Sequence, residues 1–332
     1  MVMDLPSLAG IEEAEGRIRP HLPETPLVRS EILSRAMSAE VWLKLETVSP
    51  IGSFKLRGAL AAISRGREAL DISGACTSST GNHGQGVAYA AGLLGLEAEI
   101  FLPEGPNPLK QAKIEAFGGR IHAVGHDLDA AKAAAEAHAQ ANGALFVDDG
   151  ESFDLMEGAG TVGLEVARAL TGIDAIFVPM GSGTLATGVA TAAKGLQPDV
   201  KVVAVQAKGA PAMVESFHAG RAVEQPAETT ADGLICRVPA ERALAGILAT
   251  VDDALLCSDA ALLSGVRTLI ECAHLLVEPA GAAGLAAAWA GRGALMGKRI
   301  VLILTGANIT EAQLAAALAE PPFFTLQAAA GL

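Results

Sequence analysis

Cysteine is sparse and scattered. The four residues, Cys76, Cys236, Cys257 and Cys272, form no CxxC pair, so neither a zinc ribbon nor a disulfide scaffold is indicated. Reduced, structural thiols are the expectation. Positive charge is scarce as well: 24 Lys and Arg stand against 37 Asp and Glu, a formal charge of −13. The basic face that nucleic acid requires is therefore missing. The start, Met-Val-Met-Asp-Leu-Pro, lacks the charged and apolar regions of a secretion signal, so the cytoplasm is the expected location. Apolar runs long enough to span a membrane are lacking too. Residues 279–291 are apolar but short and small-sided, which predicts a buried helix. Repeats, long charge blocks and low-complexity linkers are absent.

What is present is a large apolar fraction, 51% of 332 residues, enough for one large domain or two ordinary ones with substantial cores. Strand-like runs fall at residues 41–45, 98–102, 120–124, 144–147, 174–180, 201–205 and 299–305. Several are continuous apolar stretches, as expected when a sheet is covered on both faces. Ala-rich stretches of helical period lie between them, such as residues 128–141 and 154–169. Alternation of this kind predicts βαβ units and a parallel sheet. Ligands of such sheets bind beyond the carboxyl ends of the strands.

Four segments sit where strands give way to helices or turns. The first is Ser49-Pro50-Ile51-Gly52-Ser53-Phe54-Lys55-Leu56-Arg57-Gly58-Ala59. Its lysine faces the mouth of the fold, where desolvation disfavours the ammonium form, and a neutral amine can form a Schiff base. The second is Ser78-Ser79-Thr80-Gly81-Asn82-His83-Gly84-Gln85-Gly86. Its turn, Ser79, Thr80, Gly81, Asn82 and His83, is read as offering N–H groups and hydroxyls to a substrate carboxylate at a helix start. Asn82 read alone fits an N-cap. His83 is read as a structural hydrogen-bonder rather than a general base. The third segment, Gly181-Ser182-Gly183-Thr184-Leu185, combines close-approach glycines with a helix N-terminus and two hydroxyls, a seat for a phosphate. Its spacing, GxGxxxxG, is not the dinucleotide fingerprint. The fourth, Leu304-Thr305-Gly306-Ala307-Asn308, closes the apolar run at residues 299–305.

In this order and spacing the four segments resemble those of the serine/threonine dehydratase family, fold-type II enzymes that use pyridoxal 5'-phosphate. The resemblance spans nearly the whole chain. It implies a tryptophan synthase β-like α/β fold of two open twisted domains with mainly parallel sheets. The large domain would comprise residues 1–68 and 151–332, and the small one residues 69–150. It further implies that Lys55 carries the cofactor and, once freed, removes the α-proton. Phe54 would pack near the ring, although an ordinary core aromatic is the competing reading. Asn82 would hydrogen-bond the phenolic oxygen, and Gly181, Ser182, Gly183, Thr184 and Leu185 would hold the phosphate. Family members usually have glycine where this chain has Ser182 and Thr184. Thr305 would face the pyridine nitrogen. A hydroxyl there leaves the ring a weaker electron sink, which suits β-elimination better than transamination. A threonine satisfying its own helix start is the alternative. Glu278 either approaches the site or forms a structural salt bridge.

The implied reaction removes water from a β-hydroxy amino acid of the threonine or serine type, giving a 2-oxo acid and ammonia. Thr80 would stand on the cofactor face opposite Lys55, where its hydroxyl could deliver a proton. Racemisation is therefore an alternative within the family, and β-replacement is another. A non-catalytic cofactor-binding protein is more distant, since it would have little need of Lys55. Metal-using relatives carry acidic ligands at the places of Gln206, Ala210 and Ala212, so no metal is expected, and Lys208 could supply a cation there. The acidic run at residues 146–154 departs from the family pattern and hints at a polar, aryl or basic β-hydroxy substrate. Only a short stretch follows Asn308, without the regulatory domain of biosynthetic threonine dehydratases, which implies a catabolic or specialised enzyme. A homodimer is the family expectation.

Overall fold

A computed structural model of the chain describes residues 5–105 and 108–329. Residues 1–4 of the start read for a secretion signal lie outside them. The chain opens with α1 (Leu8–Ile18), β1 (Leu27–Arg29), α2 (Glu31–Met37), β2 (Glu40–Leu45) and α3 (Lys55–Ala69). A second group follows: β3 (Gly74–Ser78), α4 (Asn82–Leu93), β4 (Glu97–Leu102), α5 (Pro108–Ala116), β5 (Gly119–Ala123), α6 (Leu128–Asn142) and β6 (Leu145–Phe146). The remainder is α7 (Phe153–Ala169), β7 (Ala175–Pro179), α8 (Thr184–Leu196), β8 (Lys201–Ala207), α9 (Ala212–Ala219), α10 (Glu241–Thr250), β9 (Asp253–Cys257), α11 (Asp259–Ala273), α12 (Ala283–Ala290), β10 (Arg299–Leu304), α13 (Glu311–Ala319) and α14 (Leu326–Ala329).

Two sheets result. The larger runs β1-β2-β10-β7-β8-β9, and the smaller β5-β4-β3-β6. Every pairing is parallel except that of the three-residue edge strand β1. The central strand β10, Arg-Ile-Val-Leu-Ile-Leu, buries five of its six residues. Its alternate side chains feed opposite cores: Ile300, Leu302 and Leu304 enter one, Val301 and Ile303 the other. Burial on both faces is why β10 reads as an unbroken apolar run. The small-sided stretch at residues 283–290 is the buried helix expected, packed on β7.

The smaller sheet packs into a core that it shares with α1 and α3. Ala75, Ala98, Ile100 and Leu102 pack there against Val87, Ala88 and Ala91 of α4. Gly86 lets α4 come close to α3, because a Cβ at that position would lie 3.1 Å from the Lys55 carbonyl oxygen. The two sheets therefore meet at the helix that begins with Lys55.

Candidate active site

All four segments lie beyond the carboxyl ends of strands: β2, β3, β7 and β10 lead into them. They converge on one cavity of about 310 Å³. It is lined by Phe54, Lys55, Ser79, Thr80, Gly81, Asn82, His83, Gly181, Ser182, Gly183, Leu185 and Thr305. Thr184, the remaining residue of the set, starts α8 and is buried beneath the turn.

Local hydrogen bonds fix where Lys55 emerges. Ser49 Oγ donates to the Ser53 carbonyl at 2.7 Å and accepts from the Ser53 N–H at 2.9 Å. Ser53 bridges to Gly306, and the Phe54 N–H donates to the Thr305 carbonyl at 3.0 Å. The first turn of α3 is thus tied to the loop after β10. Lys55 Nζ stands 5.1 Å from the Phe54 ring centroid, while that ring also packs on the core. The core-aromatic reading of Phe54 describes this packing. Lys55 Nζ also forms an ion pair with Asp149. The lysine expected to face the mouth of the fold meets a carboxylate there. The pairing spans 94 residues, and sequence proximity does not show it.

The glycine turn is held as an anion seat requires. Gly183 has φ +98° and is the N-cap of α8, which no side chain caps. The leading N–H groups and the positive end of the helix dipole are left to serve a ligand. The hydroxyls of Ser182 and Thr184 lie 3.2 Å apart at this helix start.

Asn82 is not an N-cap. It is the first residue of α4, whose N-cap is Gly81. Its Nδ2 donates to Glu278 at 2.9 and 3.2 Å, and its Oδ1 accepts from Asn308 Nδ2 at 2.8 Å. Asn308 Oδ1 in turn accepts from Lys113 Nζ at 3.1 Å. Glu278 forms no salt bridge among the described residues. Burial, the largest cause, pushes its carboxyl up to about 7, with Asp232 adding to the rise and Asn82 opposing it. His83 Nε2 meets the Val147 carbonyl at 3.0 Å, while its buried Nδ1 has no hydrogen-bond partner. Burial, the largest cause, holds its pKa below the usual histidine value. Thr305 is buried and lines the cavity, and no helix starts at it; the next one is α13. The helix-start explanation of Thr305 therefore falls.

Gln206 is fully buried, donating to the Leu234 carbonyl at 3.3 Å and accepting from the Val214 N–H at 3.1 Å. Lys208 is exposed. Sequence reasoning gave no individual role to Asp149, Asn308 or Lys113. For Asp149 the signal available was the acidic run that carries it.

The residues present fit pyridoxal 5'-phosphate. One cavity offers an amine, an uncapped helix start with the Ser182 hydroxyl, a side-chain amide and the buried Thr305 hydroxyl. The family model described as "Pyridoxal-phosphate dependent enzyme" matches residues 18–306. An L-threonine ammonia-lyase of Geobacter sulfurreducens is 36% identical over 301 residues, covering 90% of this chain and 75% of the relative. Maize serine racemase has a similar structure, with TM-score 0.89 and 30% identity over 95% of this chain and 97% of that one. So has the processed form of threonine deaminase isoform 2 from Solanum lycopersicum, with TM-score 0.85 and 29% identity over 96% of this chain and 91% of that one.

Proposed function

This chain belongs to the pyridoxal-phosphate dependent enzyme family, and we propose that it is an ammonia-lyase removing water from a β-hydroxy amino acid of the L-threonine or L-serine type. The products are a 2-oxo acid and ammonia. The observation that carries this reading is the placement of Lys55 Nζ in one cavity with the uncapped start of α8 and the turn before α4. When bound, the cofactor supplies an electron sink that acidifies the α-proton and lets a β-substituent depart.

The chain's own groups do the rest. Lys55 Nζ holds the aldehyde and later takes the proton from the α-carbon. The turn of Ser79, Thr80, Gly81, Asn82 and His83 receives the substrate carboxylate at a helix start. The glycine turn and α8 would hold the phosphate, and Thr305 would meet the ring nitrogen. Asn82 and Glu278, hydrogen-bonded to each other, would orient the ring edge as a pair. The division at residues 69–150 follows the second sheet, whose strands all fall within it. Among the described residues no helix is long and apolar enough to cross a membrane. We take the working form to be a cytoplasmic homodimer on the family's expectation.

The test is 2-oxo acid and ammonia release from L-threonine and L-serine without added thiol. Absence of both products would overturn the elimination reading, and a requirement for thiol would favour β-replacement. Racemisation is the second reading, favoured by the Thr80 hydroxyl at the cavity wall and by the likeness to maize serine racemase. D-Serine formed from L-serine with little pyruvate would select it. Divalent metal is not needed on this reading, because the places of Gln206, Ala210 and Ala212 carry no carboxylate to hold a hard cation. EDTA should leave turnover unchanged; a loss restored by magnesium would show otherwise.

A further inference from the structure

Asp149 lies in the phosphate seat. Its Oδ1 accepts from Thr184 Oγ1 at 3.0 Å and from Ser182 Oγ at 3.2 Å, and its Oδ2 pairs with Lys55 Nζ. The backbone that presents it is constrained. Gly150 holds φ +107°, and a Cβ there would lie 2.9 Å from the Ala240 Cβ. Burial alone would raise the Asp149 carboxyl. Lys55, His83 and the hydrogen bond from Thr184 outweigh it and hold the pKa well below the usual carboxylate range. Neighbouring charges are otherwise engaged: Asp148 pairs with Lys132, and Glu151 accepts from the Glu241 N–H.

Chemically this is an anion on an anion seat. Two hydroxyls at a helix start and one ammonium receive a carboxylate, as they would receive a phosphate. We propose that Asp149 is an intrachain competitor for the cofactor's phosphate, holding Ser182, Thr184 and Lys55 together until a phosphate displaces it. Each hydroxyl has one proton to donate. A hydroxyl serving Asp149 cannot serve a phosphate oxygen, and two anions sharing the seat repel. Asp149 therefore sets how tightly the chain holds its cofactor. The inference rests on the pyridoxal phosphate reading above.

The experiment compares cofactor-depleted wild type with Asp149→Asn and Asp149→Ser. Pyridoxal phosphate affinity is measured by absorbance titration, and inorganic phosphate affinity by calorimetry. Both variants should bind both probes about tenfold more tightly, since one anion no longer contests the seat. A residue that merely pins its loop would give unchanged or weaker binding, and that result in both variants overturns the proposal. The two readings fail separately. If no protein develops imine absorbance with pyridoxal phosphate, the cofactor reading falls, whereas inorganic phosphate affinity still judges Asp149.

Discussion

At the scale of single residues, Lys55 and Glu278 carry the sharpest expectations. On the proposed reading, Lys55→Ala removes both the amine that would anchor the cofactor and the base at the α-carbon. It should abolish the imine absorbance and cut 2-oxo acid release by about a thousandfold or more. A variant that kept its imine band would place the anchor elsewhere. Glu278 titrates near neutrality because burial raises its carboxyl to about 7. A raised acid favours folding while protonated, so its contribution is present below the unfolded-state value and is lost as pH rises through 7. The isosteric Glu278→Gln should therefore gain melting temperature over wild type at pH 9, with the difference closing by pH 5. A difference independent of pH would place the proton elsewhere. The sequence shows these residues unequally. Lys55, Asn82 and the glycine turn stand out because their strand-to-helix settings recur in one order and spacing along the chain. Asp149 does not, because its meaning comes from a lysine 94 positions away.

At the scale of elements, long apolar strands are the readable part. β7, β8 and β10 announce themselves by runs of branched residues. β1, β3 and β9 do not. β1 has three residues, β3 is Gly-Ala-Cys-Thr-Ser, and β9 opens on Asp253. β3 is a strand because α4 and α6 cover it from the two sides, a tertiary reason that propensity does not supply. Helix packing has its own small-residue device. α7 and α8 cross so closely that a Cβ on Gly188 would lie 2.3 Å from the Met156 carbonyl oxygen. Gly188→Ala should push α8 away from α7 and tilt the helix start proposed to hold the phosphate. The expected result is a loss of about 1–3 kcal/mol in stability together with weaker binding of pyridoxal phosphate. Stability loss with unchanged cofactor affinity would show that the turn is held from the sheet side instead.

At the scale of the whole molecule, a buried ionic cluster ties the amino-terminal segment to α3 and α7. Arg57, fully buried, donates to Glu46 at 2.8 and 2.9 Å and to Glu165 at 2.8 and 2.9 Å. Lys44 pairs with Glu165 and donates to the Thr25 carbonyl at 2.8 Å, and Arg19 reaches Glu165 at 2.8 Å. Burial alone would raise the Glu165 carboxyl, but Arg57 and Lys44 outweigh it and hold it down to about 2. A buried cluster of this kind is weak evidence for net stability, yet removing one partner leaves uncompensated charge. Glu165→Gln takes a carboxylate from three cations, of which Arg57 keeps Glu46 and Arg19 keeps Glu15 while Lys44 loses its ion-pair partner, and should cost about 3–5 kcal/mol at pH 7. The pH dependence has a definite sign. With a depressed pKa, the Glu165 contribution is complete above the ordinary carboxylate range and disappears as pH falls toward 2. The gap in urea midpoint between wild type and Glu165→Gln should therefore be widest at neutral pH and shrink progressively below pH 5. A gap that stayed constant down to pH 3 would mean that Glu165 contributes shape rather than charge. Because Arg57 lies two residues beyond Lys55 on the same helix, the variant should also loosen pyridoxal phosphate, tying the acid stability of the chain to the geometry of its cofactor site.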